Sequence, residues 1–107
     1  MKAQLKKLAD VDIGRAGTPG SAASEICCQV FVSPKGRYRA VGSASTGCNQ
    51  GHYQANYRFG PWEGRGDTAK EAVDDMIARA DDDWQSDMQK AGHDALIAIE
   101  DEEEDNS

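Results

Sequence analysis

Ile26-Cys27-Cys28-Gln29-Val30-Phe31-Val32-Ser33-Pro34-Lys35-Gly36-Arg37-Tyr38-Arg39-Ala40 reads as a β-hairpin. Ile26, Cys28, Val30 and Val32 alternate with Cys27, Gln29 and Phe31, the period of two that sends one set of side chains to each face of a strand. Ser33-Pro34-Lys35-Gly36 supplies the turn. Proline presets φ at the first central position, and glycine accepts the left-handed conformation that a type I turn with a G1 bulge requires. The turn sets Ser33 opposite Arg37, Val32 opposite Tyr38, Val30 opposite Ala40 and Cys28 opposite Gly42. The apolar positions of both strands then share one face, so pattern and turn agree on the register.

Downstream, Gly47-Cys48-Asn49-Gln50-Gly51 reads as a second turn. Beyond it Tyr53, Ala55, Tyr57 and Phe59 alternate with His52, Gln54, Asn56 and Arg58, which adds a third strand and predicts a three-stranded antiparallel meander with one buried face. Thr68-Ala69-Lys70-Glu71 is a capping box, in which the threonine hydroxyl and the glutamate carboxylate each satisfy a free backbone N–H. Ala69, Ala72, Val73, Met76, Ile77 and Ala80 follow as an apolar stripe, continued by Trp84 and Met88, and predict one long amphipathic helix packed on the sheet. Asp81-Asp82-Asp83 marks a bend or a partly covered second half, and Gly92 a stop. Ala95-Leu96-Ile97-Ala98-Ile99 is ambiguous between a short buried strand and a last helical turn, its isoleucines leaning toward strand.

Upstream, Leu5, Leu8 and Ala9 have helical spacing and predict a short N-terminal helix. Residues 14–24, with Gly14, Gly17, Pro19, Gly20 and Ser21, read as a flexible loop. The block Glu100-Asp101-Glu102-Glu103-Glu104-Asp105 predicts a disordered acidic tail over 100–107. The expected fold class is α+β, a single domain over residues 1–99, and at 107 residues the chain holds no second domain.

The charge is polar along the chain. Residues 1–65 carry nine Lys or Arg against four Asp or Glu, whereas residues 66–107 carry three against fifteen, for a net −7. Such segregation points to electrostatic recognition, and the overall sign disfavours indiscriminate binding to nucleic acid or anionic membrane. No apolar run reaches the ~18 residues of a membrane span. The basic start Met1-Lys2-Ala3-Gln4-Leu5-Lys6-Lys7-Leu8 lacks the apolar stretch of a secretory signal. Three cysteines without a framework spacing fit a reducing compartment. The expectation is a cytoplasmic protein.

Site chemistry is sparse. Cys48 and His52 have a ligand spacing to which Cys27 or Cys28 could add, but a structural zinc site wants four ligands from paired clusters, so no metal is expected. Asp81-Asp82-Asp83 lacks the alternating ligands, glycine and terminal glutamate of a calcium loop. His52 and His93 stand in no nucleophile motif, and no acid, base and nucleophile converge. Neither an enzymatic activity nor a cofactor is expected. Arg65-Gly66-Asp67 spells an integrin tripeptide, but here glycine turns the chain and aspartate favours the positive end of the helix.

Two surfaces remain. The first is the acidic helix face of Asp67, Glu71, Asp74, Asp75, Asp81 and Asp82, whose regularly spaced carboxylates can imitate a phosphate backbone in a partner's basic groove. Trp62, Trp84 and Tyr57 would be its aromatic anchors wherever exposed. The second is the open sheet face, where Phe31, Arg37, Arg39 and Arg58 could hold single-stranded nucleic acid by stacking and phosphate contact.

The predicted order helix, three strands, helix resembles that of double-stranded RNA-binding domains. Gly64-Arg65-Gly66-Asp67-Thr68-Ala69-Lys70-Glu71-Ala72 is similar to the segment that leads into their last helix. That resemblance implies phosphate contacts from a basic cluster, of which this chain keeps only Lys70. Gly66-Asp67-Thr68-Ala69-Lys70-Glu71-Ala72 also resembles HicB-like antitoxins, which implies a homodimeric subunit neutralising an RNA-cleaving toxin. In size, acidity and lack of catalytic residues the chain shares the character of virus-encoded inhibitors such as anti-CRISPR proteins. The expected function is therefore an acidic inhibitor that covers a protein partner's basic nucleic-acid-binding surface. A nucleic-acid-binding module and an antitoxin-like homodimer are the alternatives.

Overall fold

The computed structural model describes residues 5–15, 23–50 and 53–105. Four strands, β1 (Lys6–Arg15), β2 (Ala23–Val32), β3 (Tyr38–Gln50) and β4 (Tyr53–Gly66), form one antiparallel sheet in the order of the chain. Two helices, α1 (Ala69–Arg79) and α2 (Asp82–Asp105), follow it. Both lie on the same face, α1 over β3 and β4 and α2 over β1 and β2. The architecture is α+β in two layers, with the core between sheet and helices and the other sheet face open.

The β2–β3 hairpin has the register its turn dictates. Val32 pairs with Tyr38, Val30 with Ala40 and Cys28 with Gly42. The Gly36 N–H donates to the Ser33 carbonyl at 2.9 Å, with φ +82° at Gly36, and the Ser33 N–H donates to the Arg37 carbonyl at 2.8 Å. The inward set Ile26, Cys28, Val30 and Ala40 is fully buried.

The N-terminal segment is a strand, not the expected helix. Ala9, Val11 and Ile13 face the core alternately, and β1 covers what would be the bare edge of β2. A bulge between Lys7 and Ala9 shifts the phase by one residue, so Leu8 and Ala9 both reach the core. That shift is what makes the spacing of Leu5, Leu8 and Ala9 look helical. The expected 14–24 loop shrinks, because Gly14 and Arg15 belong to β1 and Ala23 and Ser24 to β2; residues 16–22 lie outside the described residues. The second hairpin is longer than expected. Residues 47–50 pair as strand up to Gln50 opposite Tyr53, while Gly51 and His52 lie outside the described residues.

β4 also runs past Phe59. An irregularity opposite Gly42 and Ala44, at the cis Gly60–Pro61 bond, moves the inward phase from odd to even residues, so Phe59 is followed inward by Trp62 and Gly64. This displaced phase hid the second half of the strand.

The single long helix is two. Thr68 caps α1: its hydroxyl accepts the Glu71 N–H at 3.1 Å, and the Glu71 carboxylate accepts the Asp67 N–H at 2.9 Å. Ala80 leaves helical geometry with ψ 147°, and the chain restarts at Asp82 with carboxylates in the first turn, where the helix dipole favours them. α2 then places Trp84, Met88, Ala91, Ala95 and Ile99 on the core. Residues 95–99 are therefore helix rather than strand: Ala91, Ala95 and Ile99 recur every fourth residue. Gly92 is not a stop. It is buried where α2 crosses α1, and a Cβ there would meet Val73 Cγ1 at 2.6 Å. The acid block to Asp105 is helical where a disordered tail was expected. A helix already nucleated on a packed stripe gains one hydrogen bond per added residue, and glutamate propagates it well.

Candidate functional site

The expected acidic face divides in two. On α1 its carboxylates have local partners. Asp74 pairs with Lys70 at 2.8 Å, which raises the lysine pKa, and Glu71 closes the cap. Asp75 accepts the Arg65 backbone N–H at 3.1 Å and pairs with Arg79 at 3.2 Å; the backbone donor first, then the arginine, holds its carboxyl below the usual range. Asp75 thereby fastens the end of β4 to α1. Asp67 is exposed and is placed by its N–H bond to Glu71.

Asp81 and Asp82 differ. Both are exposed at the start of α2, beside the exposed Asp83. Asp82 and Glu100 are eighteen residues apart, as are Asp83 and Asp101, and at 3.6 residues per turn that spacing returns to the same face after five turns. All four are exposed, and none forms an ion pair with a described residue. One face of α2 thus carries two carboxylate pairs about 27 Å apart along its axis. The sequence held this signal in Glu100 and Asp101, which their placement in a disordered tail concealed.

Of the residues expected on the open sheet face, Arg58 stands apart from the other three. Arg39 stands opposite Phe31 on β2 and Arg65 on β4, whereas Arg58 stands opposite Ser45. Six residues of β3, about 20 Å, separate those rows. Glu63 neutralises part of the basic character, taking Arg39 at 2.7 Å and Arg65 at 3.0 Å, and these two arginines, Arg39 foremost, lower its pKa. Arg37 lies in the turn region and belongs instead to a cleft of about 590 Å³ between the sheet end and the start of α1. Lys35, Arg37, Arg39 and Arg65 line this cleft together with Tyr38 and Leu5.

Of the proposed aromatic anchors, Trp62 and Trp84 are core residues at 9% and 6% exposure, and only Tyr57, at 54%, faces solvent. Among the described residues no group of three or more His, Cys, Asp or Glu side chains could hold a metal ion. No helix among them is long and apolar enough to cross a membrane. Gly51 and His52, and the side chain of Cys48, lie outside the described residues, so the Cys48 and His52 spacing is not placed.

Cys27 lies on the open face across from Asp12. Its thiol donates to Asp12 Oδ1 at 2.7 Å, and desolvation, reinforced by that carboxylate, pushes its pKa up to about 12. Burial pushes Cys28 to about 11. Only the thiolate is nucleophilic, so Cys27 is a poor nucleophile despite its partial exposure. Alkylation by iodoacetamide at pH 8.5, followed at Cys27 by peptide mass spectrometry, is expected to be slow in the folded chain and several-fold faster in Asp12→Asn. An unchanged rate would show that Asp12 does not hold the proton.

Compared with protein families, curated proteins and solved structures, the chain matches none of them.

Proposed function

We propose that this chain is a small non-enzymatic binding protein that inhibits a partner by occupying its basic nucleic-acid-binding surface, in the manner of a phage-encoded anti-CRISPR or other anti-defence inhibitor. The observation that carries this reading is the carboxylate face of α2. Ten Asp or Glu residues on that helix stand against one lysine. The pairs Asp82–Asp83 and Glu100–Asp101 share a face on a rigid rod backed by the sheet. Their ~27 Å separation corresponds to about eight base pairs of duplex at 3.4 Å per step, the reach of a groove built to follow a phosphate backbone. Asp81 and Asp82 belong to this face. Asp67, Glu71, Asp74 and Asp75 act first as helix caps and local ion pairs and add only to the long-range field.

Of the residues behind the nucleic-acid-binding alternative, Phe31 and Arg39 are cross-strand partners and Arg37 lies close by, whereas Arg58 stands six residues along β3 from them. The antitoxin-like homodimer gains no specific support from the geometry.

The test is recovery of a partner from nuclease-treated lysate, using the whole chain and the variant Asp82→Asn/Asp83→Asn/Glu100→Gln/Asp101→Asn. The four changes are exposed, and their dipole effects at the two helix ends oppose one another, so folding is expected to be retained. The expected result is one stoichiometric nucleic-acid-binding protein whose affinity falls steeply with salt and at least ~10-fold in the variant. Added nucleic acid is expected to compete. Binding that ignores both salt and the four substitutions rejects the reading.

A further inference from the structure

The cleft at the end of the sheet is a second site, opposite in sign to the face of α2. Four parts of the chain converge on it: the β2–β3 turn with Lys35 and Arg37, the start of β3 with Tyr38 and Arg39, the end of β4 with Arg65, and Leu5 ahead of β1. Four cations gather around one cavity in a chain of net charge −7, with Asp67 and Glu71 also in its lining, and the fold answers only part of their charge. Glu63 answers Arg39 and Arg65, but neither Lys35 nor Arg37 forms an ion pair with a described residue. The Arg39 side chain, 40% exposed, lines the cleft while its Nη2 is held by Glu63. An arginine fork is the group best shaped for phosphate oxygens.

From this we infer that the cleft binds a nucleotide phosphate, either of a free mononucleotide or of the terminal nucleotide of a strand. The volume of about 590 Å³ exceeds what inorganic phosphate fills and suits a ligand of nucleotide size. The cations of Lys35, Arg37 and Arg39 take the phosphate. The Tyr38 ring offers the base an aromatic surface, and the Asp67 carboxylate, also in the lining, accepts hydrogen bonds from sugar hydroxyls or base N–H groups. The site is independent of the acidic face of α2.

The experiment titrates the whole chain with AMP, with a 12-nucleotide single strand bearing a 5′-phosphate, and with the same strand bearing a 5′-hydroxyl. Binding is read by fluorescence anisotropy for the strands and calorimetry for AMP. Wild type is compared with Lys35→Ala/Arg37→Ala, whose positions are exposed on the turn, and with Arg58→Ala, which lies outside the cleft; circular dichroism checks that each is folded. The expected result is binding of a phosphorylated ligand that is about tenfold weaker or more in Lys35→Ala/Arg37→Ala and unchanged in Arg58→Ala. AMP binding identifies a free nucleotide, and binding of only the 5′-phosphorylated strand identifies a strand end. No binding of any ligand at millimolar concentration, measurable binding of both strands with equal affinity, or equal loss in Arg58→Ala would each overturn the inference. None of these outcomes bears on the salt-dependent protein partner of α2.

Discussion

Gly64→Ala is expected to remove about 3 kcal/mol or more of stability, because the new methyl group has nowhere to go. A Cβ at Gly64 would meet the Ala72 carbonyl oxygen, the Met76 nitrogen and the Asp75 carbonyl carbon. These are backbone atoms of α1, so no rotamer change relieves the contact. The helix must lift from β4, and Ala72, Val73 and Met76, all buried beneath it, lose packing as it does. The usual gain from replacing glycine, roughly 0.4–1 kcal/mol through the unfolded chain, is too small to offset this. For a domain near 100 residues, each kcal/mol moves the midpoint by about 4–8 °C. Thermal unfolding followed by circular dichroism should therefore show a drop on the order of 12 °C or more. Gly14→Ala is the control, since a Cβ there meets nothing within 4 Å and the midpoint should hold or rise by about a few degrees. A loss below about 1 kcal/mol in Gly64→Ala would mean that α1 does not rest directly on the β4 backbone.

Trp84→Ala is expected to cost about 3–5 kcal/mol. Trp84 stands in the first turn of α2, 6% exposed, with its ring 5.1 Å from that of Phe59 at an interplanar angle of 38°. It joins the start of α2 to β4 across the end of α1, and its truncation leaves a cavity whose backbone walls cannot collapse together. Urea denaturation should show a lower midpoint at an unchanged slope, whereas Trp84→Phe, which keeps the aromatic pair, should lose markedly less. If Trp84→Ala lost under 1 kcal/mol, roughly the value of a surface change, the start of α2 would not be anchored by this ring. The carboxylates at 81–83 depend on that anchor for their position relative to Glu100 and Asp101.

What the sequence disclosed and what it hid follow from how local each signal is. The β2–β3 register was legible because the Ser33-Pro34-Lys35-Gly36 turn and the alternation of Ile26, Cys28, Val30 and Val32 are short-range and agree. The cap at Thr68 was legible for the same reason. The first strand was not, because one bulge places two consecutive residues, Leu8 and Ala9, toward the core and counterfeits a helical spacing. Gly92 misled in the opposite sense: glycine commonly ends a helix, and only the crossing of α1 over α2 shows that it serves close approach. The acidic site was half legible. Its residue types were plain, but neither the Lys70, Arg65 and Arg79 partners that occupy the α1 acids nor the helical continuation to Asp105 could be read from spacing. The basic cleft was missed, because Arg65 joins Lys35, Arg37 and Arg39 only when β4 runs on past Phe59.

The placement of α2 over β1 and β2 has a consequence for how the chain comes into being. Every strand pairing in the sheet joins neighbours along the chain, so the meander can form hairpin by hairpin as it leaves the ribosome. The cover for its first two strands is made only after all four strands and α1. Until Ile99 has emerged, Ile13, Ile26 and Val30 face outward from a half-clad sheet, the kind of transient apolar surface that chaperones engage and that nascent chains share when they aggregate. The charged residues of β1, Lys6, Lys7, Asp10 and Asp12, border that sheet from the outset and keep neighbouring copies from zipping onto its edge during the wait.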